Sequence, residues 1–293
     1  MRLVTYHAGK GPRAGALVSN CIVDLNAASG ARLPSDMLGL LAQEGGIDLA
    51  RRIVADSKRD WSRPDGNAVF GLSQARLMAP VGRPGKVICL GLNYRDHAQE
   101  SKMPVPSEPV IFSKASICVI GPGEPIVLPE ASREVDYEVE LAFVIGRRAK
   151  LVRAAEAMGC VAGYTVLNDV SARDYQHGKP GKQWFLAKSF DTFCPTGPWI
   201  VTADEVPDPH DLKLSCEVSG QTLQASSTAQ MLFRIPVIIE YLARVFTLEP
   251  GDIVATGTPS GVGFARVPPR FLQKGDVVRC TVEGIGTLEN PVV

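Results

Sequence analysis

No window of this 293-residue chain approaches the roughly 18 uninterrupted apolar residues that a membrane-spanning helix needs. Residues 1–15, which include Arg2, His7, Lys10 and Arg13, lack the apolar centre of an export signal. The expectation is a cytoplasmic protein with no membrane partner. Charge of one sign is missing too: 31 Lys and Arg stand against 31 Asp and Glu, and basic residues cluster no further than pairs such as Arg51-Arg52 and Lys58-Arg59. Binding nucleic acid takes a clustered basic excess, so no nucleic-acid partner is expected. The seven cysteines are widely spaced, form no C-x-x-C, and sit among apolar neighbours as in Val87-Ile88-Cys89-Leu90. That pattern fits buried thiols in a reducing compartment better than disulfides or a zinc site. The glycine-rich segment 255–263 has neither nucleotide-loop spacing, which excludes a phosphate cradle of that type.

Turn-formers are what the chain has in quantity. With 28 Gly and 22 Pro it is cut into short segments, with little room for long helices. The reading is an α+β protein, mostly β. Residues 1–75 form a small α/β N-terminal domain, 76–85 a Pro/Gly-rich linker, and 86–293 the main body. In the first unit, two sheet runs precede a helix that Ser35 or Asp36 can cap, with Met37, Leu40 and Leu41 as its apolar face. Gly45-Gly46 interrupts it. In the body, strands are expected at 87–90, 110–113, 137–145, 161–167, 199–201, 213–218, 253–256 and 277–282, with one helix opening at Pro236. The phrase Gly-Asp opens two late strands, at Gly251-Asp252 and Gly275-Asp276, and reads as repeated turn chemistry.

Chemistry concentrates in a few segments. As one strand, Asp136-Tyr137-Glu138-Val139-Glu140 sends three carboxylates to one face, and that face continues into Ala142 and Val144. Like charges entering an apolar interior need a cation or protons, unless the face is a solvated edge. Asp169, where the apolar run 163–167 turns polar, is placed to add a further oxygen, a strand-end cap being the plain alternative. Glu138, Glu140 and Asp169 make a hard donor set suited to Mg²⁺ or Mn²⁺, leaving open positions for a chelating substrate. On a short helix capped by Asn93, His97 and Glu100 share a face, so the carboxylate can orient the imidazole as a general base for water; such pairs also occur as plain surface contacts. Lys188, alone between Phe185 and Phe190, needs an anionic partner if buried. The loop 255–263 can offer amides and the Thr258 hydroxyl to an anion, or be only a tight turn.

In this order, Gly91-x-Asn93-Tyr94-x-x-His97, Asp136-Tyr137-Glu138-Val139-Glu140-Leu141, Asn168-Asp169-Val170-Ser171-Ala172-Arg173-Asp174-x-Gln176, Ala187-Lys188-Ser189-Phe190-Asp191 and Thr256-Gly257-Thr258-Pro259-x-Gly261-Val262-Gly263 make the chain resemble the fumarylacetoacetate hydrolase family over residues 86–293. The resemblance implies a mixed β-roll catalytic domain, a homodimer, and one Mg²⁺ or Mn²⁺ per site. It implies Glu138, Glu140 and Asp169 as metal ligands and His97 with Glu100 as the water-activating pair on a mobile lid helix. Lys188 and Gln176 would polarise the substrate's oxygens, Thr258 would hold its carboxylate, and Arg95 is assigned to substrate binding with them. The mammalian hydrolase has a further metal-binding aspartate where this chain reads Cys89-Leu90-Gly91-Leu92. The smaller acylpyruvase and oxaloacetate decarboxylase members resemble it more closely there. The expected activity is hydrolysis of a C–C bond in a β-diketo acid such as a 3-acylpyruvate. Oxaloacetate decarboxylation and isomerisation of a hydroxymuconate or hydroxyheptadienedioate are the alternatives on the same small keto-acid site, and a non-catalytic ligand-binding dimer is the least favoured.

Overall fold

The computed structural model describes residues 1–9 and 11–293. Segments too short to bury their own apolar faces pair into sheets. Strands β1 (Arg2–His7), β2 (Pro12–Val18) and β3 (Cys21–Asp24) form an antiparallel meander. Helices α1 (Leu25–Ala28), α2 (Met37–Ala42) and α3 (Gly46–Val54) follow, then β4 (Val69–Gly71) and β5 (Arg76–Met78). As expected, Asp36 caps α2, accepting the Gly39 N–H at 2.8 Å, and Met37, Leu40 and Leu41 are buried. Gly45, at φ +67°, makes the left-handed break before α3.

The rest of the chain supplies β6 (Val87–Gly91), α4 (Arg95–Glu100), β7 (Val110–Lys114), β8 (Val119–Ile120), β9 (Val135–Asp136), β10 (Val139–Ile145), α5 (Ala154–Ala157) and β11 (Val161–Asn168). After these come β12 (Ser171–Ala172), α6 (Arg173–Gly178), α7 (Trp184–Lys188), β13 (Cys194–Thr202), β14 (Lys213–Val218) and β15 (Gln221–Ser227). The chain ends with α8 (Ile235–Val245), β16 (Ile253–Ala255), β17 (Val277–Val282) and β18 (Gly286–Pro291). Among the described residues the large sheet runs β4-β3-β2-β1-β13-β11-β10-β16-β6-β7, with β5 on β1 and β8 on β13. A second sheet, β15-β14-β17-β18, packs across β10, β11 and β13. Leu141, Phe143, Tyr164 and Val166 meet Cys216, Val278, Cys280 and Leu288 between the sheets. On the opposite face Ala142, Val144 and Leu167 pack with Leu3, Val23 and Leu40. β10 and β11 are therefore buried on both faces, which is why they read as continuous apolar runs. The protein is α+β and mostly strand, as its sequence indicates.

One expected strand is broken. Residues 137–145 do not run as one strand: β9 ends at Asp136 and β10 begins at Val139. The backbone between them is held by side chains instead of a ladder. The Asp136 carboxylate accepts the Tyr137 N–H at 2.8 Å, Asn168 Oδ1 accepts the Glu138 N–H at 3.0 Å, and Gln224 Oε1 accepts the Val139 N–H at 2.9 Å. Strict alternation of Asp136 with Glu138 and Glu140 on one face fails at this break.

The two Gly-Asp phrases do share their turn chemistry. Gly251 and Gly275 sit at φ +88° and +93°. Asp252 accepts the Glu249 N–H at 2.7 Å and Asp276 accepts the Gln273 N–H at 2.8 Å, the same residue offset in both. All seven cysteines are free and buried, as expected. Among the described residues no helix is long and apolar enough to cross a membrane.

Residues 1–75, expected as a unit of their own, continue the main sheet through β1 and β13, with Leu3 opposite Ile200. The expected linker is structured as well: β5 pairs with β1, and the Thr5 hydroxyl donates to the Pro80 carbonyl at 2.6 Å. A chain shortened to residues 86–293 would expose the β13 edge and the apolar layer beneath Leu3 and Leu40. It should lose cooperative thermal unfolding; a sharp calorimetric transition from the shortened chain would contradict the shared core.

Candidate active site

The register brings four strand ends together. Val139 at the start of β10 lies opposite Asn168 at the end of β11, Ala142 opposite Ala255 at the end of β16, and Ala255 beside Cys89 near the end of β6. The polar residues that leave these strands therefore converge at one end of the sheet. There Glu138, Glu140 and Asp169, all buried, bring carboxylate oxygens within 4.8 Å of one another.

Their partners are cations that are buried as well. Arg173 donates from Nε to Asp136 Oδ2 at 2.8 Å, from Nη2 to Glu138 Oε1 at 2.6 Å and from Nη1 to Gln176 Oε1 at 2.8 Å. Lys188 Nζ donates to Glu138 Oε2 and to Asp169 Oδ2, each at 2.8 Å. Lys114 Nζ donates to Asp169 Oδ1 and, at 3.1 Å, to the Val170 carbonyl. Four buried carboxylates, Asp136, Glu138, Glu140 and Asp169, thus face three buried cations, Lys114, Arg173 and Lys188. Glu140 is the unpaired one; it accepts the Gly257 N–H at 2.6 Å. Burial and the charges of Asp169 and Glu138 push its pKa well above the ordinary range. Burial pushes Glu138 up as well, but Lys188 and Arg173 outweigh it and hold that carboxyl at about 2.

These residues fit a divalent cation. The donors are hard oxygens, as Mg²⁺ and Mn²⁺ prefer. The Lys188 ammonium already bridges two of the three carboxylates, marking a point where positive charge is required, and Glu140 still lacks a counter-charge. The carboxylate triad can hold a metal ion.

A cavity of about 130 Å³ opens above the cluster, with His97, Glu138, Arg173, Gln176 and Lys188 among its polar lining and Phe112, Trp184 and Phe264 among its apolar lining. His97 and Glu100 do share a face of α4, with Nδ1 3.5 Å from Glu100 Oε2. Both Glu100 oxygens, however, accept the Gly261 N–H, at 3.0 and 3.1 Å, and Nδ1 has no hydrogen-bond partner. Asn93 does not cap α4. Tyr94 occupies the cap position, while the Asn93 amide donates to the Thr256 and Phe233 carbonyls at 2.8 and 3.1 Å and accepts the Phe233 N–H at 2.8 Å.

Gln176 lines the cavity with its Oε1 occupied by Arg173, so its NH₂ group is the part available to a ligand. Thr258 also lines the cavity, but its hydroxyl donates to the Val139 carbonyl and accepts from Gln224 Nε2, each at 2.9 Å. No hydroxyl proton is left for the substrate carboxylate expected there. Arg95, expected as a substrate contact, is exposed and forms no part of the cavity wall. Arg173 and Lys114 were missed as partners of the cluster. The signal that could have found them is charge balance: four carboxylates entering an apolar interior demand more cations than Lys188 alone.

Two variants test this charge account. Glu140→Gln removes the carboxylate that has no cation beside it, so it should abolish the gain in melting temperature on adding Mg²⁺ or Mn²⁺. Lys114→Met breaks a fully buried pair and should cost about 3–5 kcal/mol in denaturant unfolding. A metal-dependent gain retained by Glu140→Gln would contradict the assignment.

Known proteins resemble this chain over its whole length. The model of the fumarylacetoacetate hydrolase C-terminal domain matches residues 86–293. Oxaloacetate tautomerase FAHD2A, mitochondrial, of Bos taurus is 48% identical, covering 100% of this chain and 92% of that protein. The Homo sapiens protein of the same name is 46% identical with the same coverage. Among solved structures, 5-carboxymethyl-2-hydroxymuconate delta-isomerase from Mycobacterium smegmatis superposes with a TM-score of 0.77 at 38% identity, covering 100% of this chain and 99% of that one. Maleylpyruvate hydrolase from Sphingobium sp. SYK-6, solved in complex with manganese (II) ion and pyruvate, gives 0.80 at 33% identity with the same coverage. Such matches cover the strand ends that carry the carboxylates as well as the N-terminal sheet, and by them the chain belongs to the fumarylacetoacetate hydrolase family, a family of enzymes.

Proposed function

We propose that this chain interconverts the keto and enol forms of a small 2-oxo dicarboxylate of the oxaloacetate type, with Mg²⁺ or Mn²⁺ held by Glu138, Glu140 and Asp169. The observation that carries the reading is that His97 and Lys188 line one small cavity together with Glu138 of the carboxylate triad. Relatives 48% and 46% identical over the full chain bear the name oxaloacetate tautomerase, which supports it. The cavity, about 130 Å³, lies well below the ~300–1,000 Å³ typical of sites for larger ligands, and so favours a short acid.

When bound, the ion supplies positive charge and Lewis-acid polarisation at the oxo group. The remaining steps belong to the chain. Lys188 has three N–H groups, of which two are engaged by Glu138 and Asp169; the third is left for the oxygen on which negative charge develops. His97 takes the proton from the carbon beside the oxo group and, as the imidazolium, returns it to that oxygen, giving the enol. The reverse order restores the keto form. Phe112, Trp184 and Phe264 give the cavity an apolar wall around this exchange.

Hydrolysis of an acylpyruvate, the activity first expected from the sequence, is the second reading, and the similarity to maleylpyruvate hydrolase favours it. It uses His97 on water in place of carbon. Isomerisation of a hydroxymuconate, for which the Mycobacterium smegmatis similarity speaks, is proton transfer between carbons and needs the same two groups.

With oxaloacetate and Mn²⁺, His97→Ala should lower kcat for enol–keto conversion, followed by ultraviolet absorbance, about 10²–10⁴-fold. The metal-induced rise in melting temperature should persist in that variant. An unchanged rate removes His97 from the mechanism, and release of an acyl acid from acylpyruvate by the wild type, seen by NMR, would move the assignment to hydrolysis.

A further inference from the structure

Helix α4, which carries His97, has six residues, far fewer than an independently stable helix needs. Its orientation must come from what it touches. Asn93 anchors the entry, as described, and exposed residues 102–105 follow the exit. Between them, Asp96 Oδ2 accepts the Ser226 hydroxyl at 2.6 Å and the Ser260 hydroxyl at 3.3 Å, while Oδ1 accepts the His97 N–H at 2.8 Å.

Ser226 lies on β15, two residues from Gln224 and so on the same face of that strand. Gln224 in turn accepts the Val139 N–H and donates to Thr258 Oγ1 and, at 3.0 Å, to the Pro259 carbonyl. One face of one strand thus fixes three parts of the site: the start of β10, the loop through 258–260, and helix α4. Asp96 ties the first turn of α4 to this clamp, as Glu100 ties its last turn to the Gly261 N–H, and Asp96 is not in the cavity wall.

We propose that Asp96, through Ser226 and Ser260, is a positioning residue that sets the His97 imidazole against Lys188 and Glu138 across the cavity. The inference rests on the reading of His97 as the proton-transfer group. Loss of the Asp96 carboxylate frees the first turn of α4 while leaving the carboxylate triad and Lys188 in place. A displacement of the base by about 1 Å costs on the order of 10²-fold in rate.

The test compares Asp96→Ala, Asp96→Asn and the double variant Ser226→Ala/Ser260→Ala in the full chain. Asp96→Ala should lower kcat for oxaloacetate roughly 10- to 100-fold with KM within about twofold and an unchanged Mn²⁺-induced melting shift. Asp96→Asn, whose Oδ1 still accepts the His97 N–H while its NH₂ group can donate to the two serine hydroxyls, should recover much of the loss, and the serine double variant should reproduce it. In a His97→Ala background, Asp96→Ala should have no further effect on rate. Independently of any substrate, amide hydrogen exchange across residues 95–101 should rise in Asp96→Ala. Unchanged exchange, or an undiminished rate loss in the His97→Ala background, overturns the proposal. If the wild type converts no oxo acid, the functional reading fails, and the exchange measurement alone decides for or against the positioning role.

Discussion

Four buried carboxylates and three buried cations at one end of a sheet set the terms for the rest of this molecule. Ionised groups out of contact with water are tolerated only when paired with good geometry, because the desolvation of each costs several kcal/mol. Here each cation serves more than one acceptor. Arg173 joins Asp136 to Glu138, and Lys188 joins Glu138 to Asp169, so the cluster is a connected network instead of separate pairs. Its one unmatched member, Glu140, has no cation beside it, and burial with the charges of Asp169 and Glu138 pushes its pKa up. A divalent cation held by Glu138, Glu140 and Asp169 would supply the missing counter-charge.

The network explains the local folding around it. Continuing β9 straight into β10 would have paired the backbone of Tyr137 and Glu138 in a ladder. Instead those amides go to side chains, and the turn this creates lets Glu138 reach both Arg173 and Lys188. Asp136 is pulled the other way, accepting the Gly263 and Phe264 amides at 2.7 and 3.1 Å. Gly263 has to be glycine for that approach: an added Cβ would stand 2.0 Å from the Arg270 carbonyl oxygen and 2.5 Å from Asp136 Oδ1. The N-terminal strands contribute from a distance, since Leu3, Val23 and Leu40 cover the face of β10 and β11 opposite the second sheet.

Much of this was legible in the sequence because apolar period and turn residues carry it. The strands at 213–218 and 277–282 appear with the expected bounds, and the buried thiols follow from their neighbours. The proximity of Glu138, Glu140 and Asp169 also follows from residue type and placement, although the uninterrupted strand used to argue it does not exist. What escaped is what depends on side-chain hydrogen bonds over long separations. β15, Gln-Thr-Leu-Gln-Ala-Ser-Ser, has almost no apolar signal because Gln224 and Ser226 serve the site instead of the core. Asn93 reads as a helix cap, a local role, yet it braces backbone more than a hundred residues away. Lys114 looks like an ordinary charge at a strand end until the strand beside it places it under Asp169.

The same distinction separates the charge chemistry of such a site from its choice of reaction. Removing a proton beside an oxo group, attacking a distal carbonyl with water and releasing carbon dioxide all need negative charge to be stabilised at one oxygen, which the buried carboxylates and Lys188 arrange for each. They differ in what the base meets. Tautomerisation requires the base to meet carbon in a site from which water is shut out; hydrolysis requires a water between base and substrate. The wall of Phe112, Trp184 and Phe264 and the small volume beside it are the features of this site that would bear on that difference, more than the carboxylate cluster. On the proposed reading, what would favour one reaction over another in this chain is the placement of α4 and the apolar wall, elements held by hydrogen bonds to β15 and by aromatic packing such as Trp184 edge-on to Phe112 at 5.3 Å.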